Sequence, residues 1–337
     1  MILPVTCGGF QNISMILKKY FLLLFSFLCL YTVKVLGQAS AGKHISANEL
    51  LLFEKQQDSL KSFADDIVNA PEPNQRFRAD SSFIRMLVRS LKIPHSFYFP
   101  FDSLLTISKL YAPDSSFRIF TWQIKKDAYV FLQRGAIQMS TPDGSLKLFP
   151  LHDVSMFSKK PQDSIRSANN WIGAIYYRII QNNANGKNTY TLLGFDDFTI
   201  NSNKKWMEVL TFDEQGQPVF GGPYFSFKDD SAKPSKKEVD RFFIEYKKEA
   251  VTTFNYDSSL NMIVYDHLVS ETDEPNRKES YVPDGDYEGF VWRNGQWLHV
   301  NKVFNSTLQE GQFPVEKKIL NDDGGVDENL LKQPPKK

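Results

Sequence analysis

From Phe117 to Val300 the apolar positions come in short runs rich in aromatic and β-branched residues, broken by turn formers such as Pro142-Asp143-Gly144 and Asn185-Gly186. That spacing predicts strands, at Phe117–Ile124, Ala128–Met139, Leu146–Leu151, Ile172–Ile180 and Thr189–Phe195. Three hairpins follow. Met207–Phe212 returns through Glu214-Gln215-Gly216 to Pro218 and Phe220, Ala250–Tyr256 through Asp257-Ser258-Ser259 to Met262–His267, and Gly289–Arg293 through Asn294-Gly295 to Trp297–Val300. The Asn-Gly turn is the strongest of these signals, because both central residues of a two-residue hairpin loop need positive φ.

Before Tyr111 the period changes from two to between three and four. Ser46 and Glu49 have capping-box spacing, and Leu50, Phe53, Leu60, Ala64 and Ile67 then form one stripe up to Asn69 and Pro71. A second helix is predicted from about Asp80 to Leu91, with Phe83, Leu87 and Leu91 on one face and Pro94 beyond it. A third helical turn is expected from Asp102, carrying Leu105 and Leu110.

Strands joined by short turns, without long helices between them, imply sequential antiparallel pairing. The expected fold is therefore mainly β within the α+β class. It is an antiparallel meander, sandwich-like or barrel-like, with two or three N-terminal helices packed on it. Residues 38–310 form one β-rich domain whose helical section is 38–110; Lys228–Glu238 is a charged surface loop, and 311–337 is a polar, flexible tail.

The segment 15–37 predicts export. Met15, Lys18 and Lys19 precede an apolar run from Tyr20 to Val33, and small residues follow at Gly37, Ala39 and Ala41, the layout of a secretory signal peptide. A membrane-spanning helix needs roughly 20 apolar residues, and this run is shorter and closed by Lys34. Cleavage is expected between Gly37 and Gln38, with Ala41 as the competing site and residues 1–14 as a non-native extension before Met15. Cleavage would remove both cysteines, Cys7 and Cys29, so the mature chain would hold no disulfide and no thiolate nucleophile.

Loss of Lys18, Lys19 and Lys34 takes the formal charge from +1 to −2. That balance excludes the basic footprint of a nucleic-acid binder and of a polybasic membrane anchor. The expected location is periplasmic, outer-envelope associated or extracellular, without a stable membrane anchor.

Candidate chemistry is sparse. Asp284, Asp286 and Glu288, followed by Gly289, copy the start of a calcium loop, but its twelfth position is Gly295 rather than a bidentate acid. His152-Asp153 and Asp266-His267 would need further converging ligands to build a metallohydrolase, and none of His44, His95, His152, His267 and His299 stands at helical ligand spacing from another. Asp196-Asp197 follows a strand, where a glycosidase could keep its carboxylates. Trp122, Trp171, Trp206, Trp292 and Trp297 are candidates either for core positions or for a glycan or peptide platform. The sequence thus assigns no catalytic, cofactor-binding or metal residues.

The run from Phe117 to Trp122 and the closing stretch from Asp284 to Trp292 with Asn294-Gly295-Gln296-Trp297 resemble segments of uncharacterised exported proteins of Gram-negative bacteria. The resemblance covers most of the mature chain and implies an envelope or extracellular location, without an activity. Tyr287-Glu288-Gly289 to Asn294-Gly295 is also similar to one unit of a MORN repeat, but such arrays need several stacked units. The functional expectation is a non-catalytic binding or structural module whose partner is an envelope protein or glycan. The alternative is a carbohydrate- or peptide-directed hydrolase using Asp/Glu carboxylates.

Overall fold

In the computed structural model, which describes residues 45–127, 129–227 and 239–304, two α-helices lead into fifteen strands arranged in three open sheets. Helix α1 (Ala47–Asn69) starts at the predicted capping box: Glu49 N donates to Ser46 Oγ at 3.3 Å and Ser46 N donates to Glu49 Oε2 at 2.6 Å. Its buried stripe is Phe53, Leu60, Ala64 and Ile67, whereas Leu50 is exposed. Helix α2 (Pro73–Leu91) begins a full two turns earlier than the pattern predicts, with Pro73 in the first turn, where the missing N–H costs nothing. After Asp102 there are turns but no helix, and Leu110 belongs to a strand.

The first sheet is the meander β1 (Ser108–Tyr111), β2 (Phe117–Lys125), β3 (Phe131–Met139) and β4 (Lys147–Leu151). The second contains β5 (Arg166–Ser167), β6 (Ile175–Ala184), β7 (Lys187–Asp196), β8 (Ser202–Phe212) and β9 (Pro218–Phe220). The third contains β10 (Phe225–Ser226), β12 (Phe254–Asp257), β13 (Met262–Ser270), β14 (Tyr281–Arg293) and β15 (Gln296–Val300); β11 (Arg241–Lys247) pairs with β8 in the second. Pairing is antiparallel throughout except β10 with β15, and none of the sheets closes into a barrel. Residues 250–253, predicted as strand, lie before β12.

The layers stack as helices, first sheet, second sheet, third sheet. Alternation along β2 shows why: Phe120, Trp122 and Ile124 meet α1 and α2, while Phe117 and Ile119 meet Tyr190, Leu192 and Leu210 of the second sheet. Farther on, Leu193, Met207 and Val209 meet Phe254, Ile263, Phe290 and Trp297 of the third. Strands buried on both faces read as continuous apolar runs rather than alternating ones.

The closing hairpin matches its prediction. Asn294 and Gly295 have φ of 50° and 80°, and Trp292 pairs across it with Trp297, ring centroids 5.2 Å apart. Trp122, Trp171, Trp206 and Trp297 are all buried, so they form core and not an exposed platform. Lys228–Glu238, 15–37 and 311–337 lie outside the described residues. Among those that are described, no helix is long and apolar enough to cross a membrane.

Candidate functional site

Helix α2 crosses the first sheet with Asp80, Ile84, Leu87, Val88 and Leu91 along one side, spacings of three and four that place them on a single face. Beneath Ile84, Leu87, Val88 and Leu91 lie Trp122 of β2, Ala136 of β3, and Leu148 and Pro150 of β4. Ala136 is too small to fill the space under the helix, and a cleft of about 450 Å³ remains.

The cleft has one polar end, made by Arg134, His152 and Asp153. Gly135 of β3 is paired with Leu151 of β4, so Arg134 and His152 stand one step beyond that pair on neighbouring strands. Arg134 Nε donates to Asp80 Oδ2 at 3.3 Å, and Trp122 Nε1 donates to Asp80 Oδ1 at 2.8 Å. The Asp80 side chain is only 5% exposed, whereas that of Arg134 is 32% exposed, so the guanidinium is the charge that meets solvent.

Asp153 is held by the backbone. Its Oδ1 accepts from Ser155 N at 2.9 Å and Gly173 N at 3.1 Å, and its Oδ2 accepts from Gln133 N at 3.2 Å. Gln133 then reaches between the first and second sheets, where its Nε2 donates to Asp196 Oδ1 at 2.8 Å. Thus two of the sequence candidates, Asp153 and Asp196, meet on one glutamine. Burial pushes the Asp196 carboxyl up to about 7, against the pull of Lys204. Asp197, its neighbour in sequence, instead forms an ion pair with Lys248. Asp196 and Asp197 therefore do not face each other across a cleft, and neither lines this one.

Three further candidates, Asp266, His267 and Glu288, line a second cavity of about 490 Å³ between β11, β13 and β14, whereas His95 lies against Glu49 of α1 and His44 falls outside the described residues. His267 Nδ1 lies 2.8 Å from Asp284 Oδ2, and its Nε2 lies 3.8 Å from Glu288 Oε1. Tyr265 OH donates to Glu288 Oε2 at 2.6 Å and lies 2.7 Å from His299 Nε2. Burial raises the Asp284 carboxyl, but the Asp286 N–H and His267 outweigh it and hold the group below its ordinary value. Asp286 turns the other way, toward Lys302 at 3.6 Å. The three acids of the calcium-like run are thus dispersed, and no group of three or more His, Cys, Asp or Glu among the described residues could hold a metal ion.

The pattern along α2 marked Leu87 and Leu91, but nothing near Arg134 marked it as a site residue. Its partner Asp80 is 54 positions away, and only the packing of α2 on β3 brings the two together. No protein-family model, curated protein or solved structure matches this chain.

Proposed function

We propose that the protein is an exported, non-catalytic binding module that takes an apolar small molecule in the cleft between α2 and the first sheet. The cleft carries this reading. It combines an apolar wall of Ile84, Leu87, Val88, Leu91, Trp122 and Leu148 with a few polar groups gathered at one end. Small-molecule sites share that composition, apolar surface for affinity and a few fixed polar groups for orientation. The floor of the cleft is part of a hydrogen-bonded sheet, β2 to β4. Export rests on the pattern of residues 15–37.

Half-buried Val88 overhangs the cleft, so Val88→Trp would fill it. Titration with the neutral dye N-phenyl-1-naphthylamine should give saturable fluorescence enhancement in wild type and none in Val88→Trp. Phe157→Ser, at an exposed ring outside the cleft, should leave the enhancement intact. Equal dye binding by wild type and a folded Val88→Trp variant would overturn the reading.

A further inference from the structure

We propose that the cleft selects an unbranched amphiphile with a terminal carboxylate, seated with its head on Arg134 and its chain running along α2 toward Leu91. This rests on the cleft being the binding site and adds the chemistry of the ligand.

The polarity of the cleft sets the direction. One turn before the lining residues of α2 stands Asp80, bonded to Arg134, and the lining itself is Ile84, Leu87, Val88 and Leu91, without a polar residue. From Ile84 to Leu91 the helix rises about 10 Å, a length that suits an extended alkyl chain better than a compact ring system. Opposite it, Trp122, Ala136, Leu148 and Pro150 offer no hydrogen-bonding side chain to the chain portion, with the Trp122 indole N–H already given to Asp80.

Arg134 sets the head group. A guanidinium has five N–H donors in a planar fork, matched to a carboxylate. Here Nε meets Asp80 Oδ2 at 3.3 Å and Nη1 meets Gln133 O at 3.3 Å, both longer than the 2.7–2.9 Å of a strong charge-assisted bond. Nη2 has no hydrogen-bond partner among the described residues. Asp80 meets the guanidinium through Nε alone, so the Nη2 edge stays open to a second acceptor. Asp153, the other acid at this end, has both oxygens occupied by backbone N–H groups and so offers a weak site for a cation. A bidentate carboxylate on the exposed edge of Arg134 would complete the fork without disturbing Asp80.

Competition against bound N-phenyl-1-naphthylamine by decanoate, decanol and decylamine separates the possibilities. In wild type, decanoate should displace the dye at a concentration at least about ten-fold below that of decanol, as one added charge-assisted pair implies. Arg134→Gln should collapse that ratio to about one, and Arg134→Lys, which keeps the charge without the fork, should give an intermediate ratio. A far-UV spectrum and urea midpoint like those of wild type would show that each variant is folded. If decanol competes as well as decanoate, or if folded Arg134→Gln keeps the ten-fold preference, the carboxylate proposal is overturned and the cleft remains a binding site. If decylamine is preferred, the head subsite is acidic and the proposal is again overturned. Failure of the dye itself to bind would remove the cleft reading and this proposal together.

Discussion

Arg241 and Glu208 are directly opposite each other on β11 and β8, and Arg241 Nε donates to Glu208 Oε2 at 3.0 Å with neither side chain reaching solvent. The other Glu208 oxygen accepts from Tyr176 OH, which in turn accepts from Trp171 Nε1 at 2.7 Å. Arg241 Nη1 donates to the carbonyls of Pro161 and Ser164, and its Nη2 donates to that of Phe220. A single pair and its partners thus tie five segments of the chain together inside the protein.

Removing one partner of a buried ion pair leaves the other charge uncompensated, at a cost of about 3 to 5 kcal/mol. Glu208→Leu should therefore lower stability by that amount in urea denaturation. The double variant Glu208→Leu/Arg241→Met should lose less than the sum of the two single losses, because both desolvation penalties vanish together. Strict additivity would show that the pair is not coupled.

The final hairpin gives a second prediction. Gly295 holds φ of 80°, and an added Cβ would meet only Ala184, at 3.4 Å, so the cost of substitution is conformational rather than steric. Gly295→Val should cost roughly 1 to 3 kcal/mol, the usual range for a forced backbone outlier. Trp297 is fully buried and its Nε1 donates to Thr191 Oγ1 at 2.8 Å, so Trp297→Ala should cost about 3 to 5 kcal/mol. Thermal melts of the two variants beside wild type check both; an unchanged melting temperature for either contradicts its assignment.

Asp196 makes stability depend on pH in the sense opposite to that of an ordinary paired carboxylate. Burial raises its folded pKa from 3.8 to about 7, so the folded state holds the proton longer than the unfolded chain does. The stabilisation is complete below about pH 4 and is lost as pH rises toward 7, a change of at most roughly 4 kcal/mol. Asp196→Asn keeps an acceptor for Gln133 and removes the titration. It should be more stable than wild type at pH 8, and that advantage should fade as pH falls to 4. Chemical denaturation across this range tests the sign, and a parallel pH profile for the two proteins would refute it.

Local signals made part of this structure legible. Asn294-Gly295 demands a turn whatever surrounds it, and Ser46 with Glu49 caps a helix within four residues, so both appear in the structure as predicted. Strand β11 was missed because no adjacent turn pairs it; its partner β8 begins 39 positions earlier, a register that only tertiary packing defines. Leu105 and Leu110 are expected in a helical turn, yet Leu110 lies in β1 and pairs with Ile119 of β2, where pairing at the sheet edge outweighs local preference. The cleft was illegible for the same reason. Its emptiness comes from the small Ala136 side chain meeting α2, and the Arg134–Asp80 contact spans 54 positions. Likewise Gln133 joins Asp153 to Asp196 only because β3, β7 and the segment after β4 converge.

Trp122 lines the cleft, so its fluorescence reports directly on whether an alkyl ligand enters there. Trp122 pairs with Arg134 at the head end of the cleft, so titration with 2-bromodecanoate, whose bromine stands beside the carboxylate and quenches indole emission on contact, should quench part of the tryptophan fluorescence saturably. In Trp122→Phe the quenchable part should disappear while emission from Trp171, Trp206, Trp292 and Trp297 remains. Saturable quenching that persists in Trp122→Phe, or no quenching in wild type, would contradict a ligand site between α2 and the first sheet.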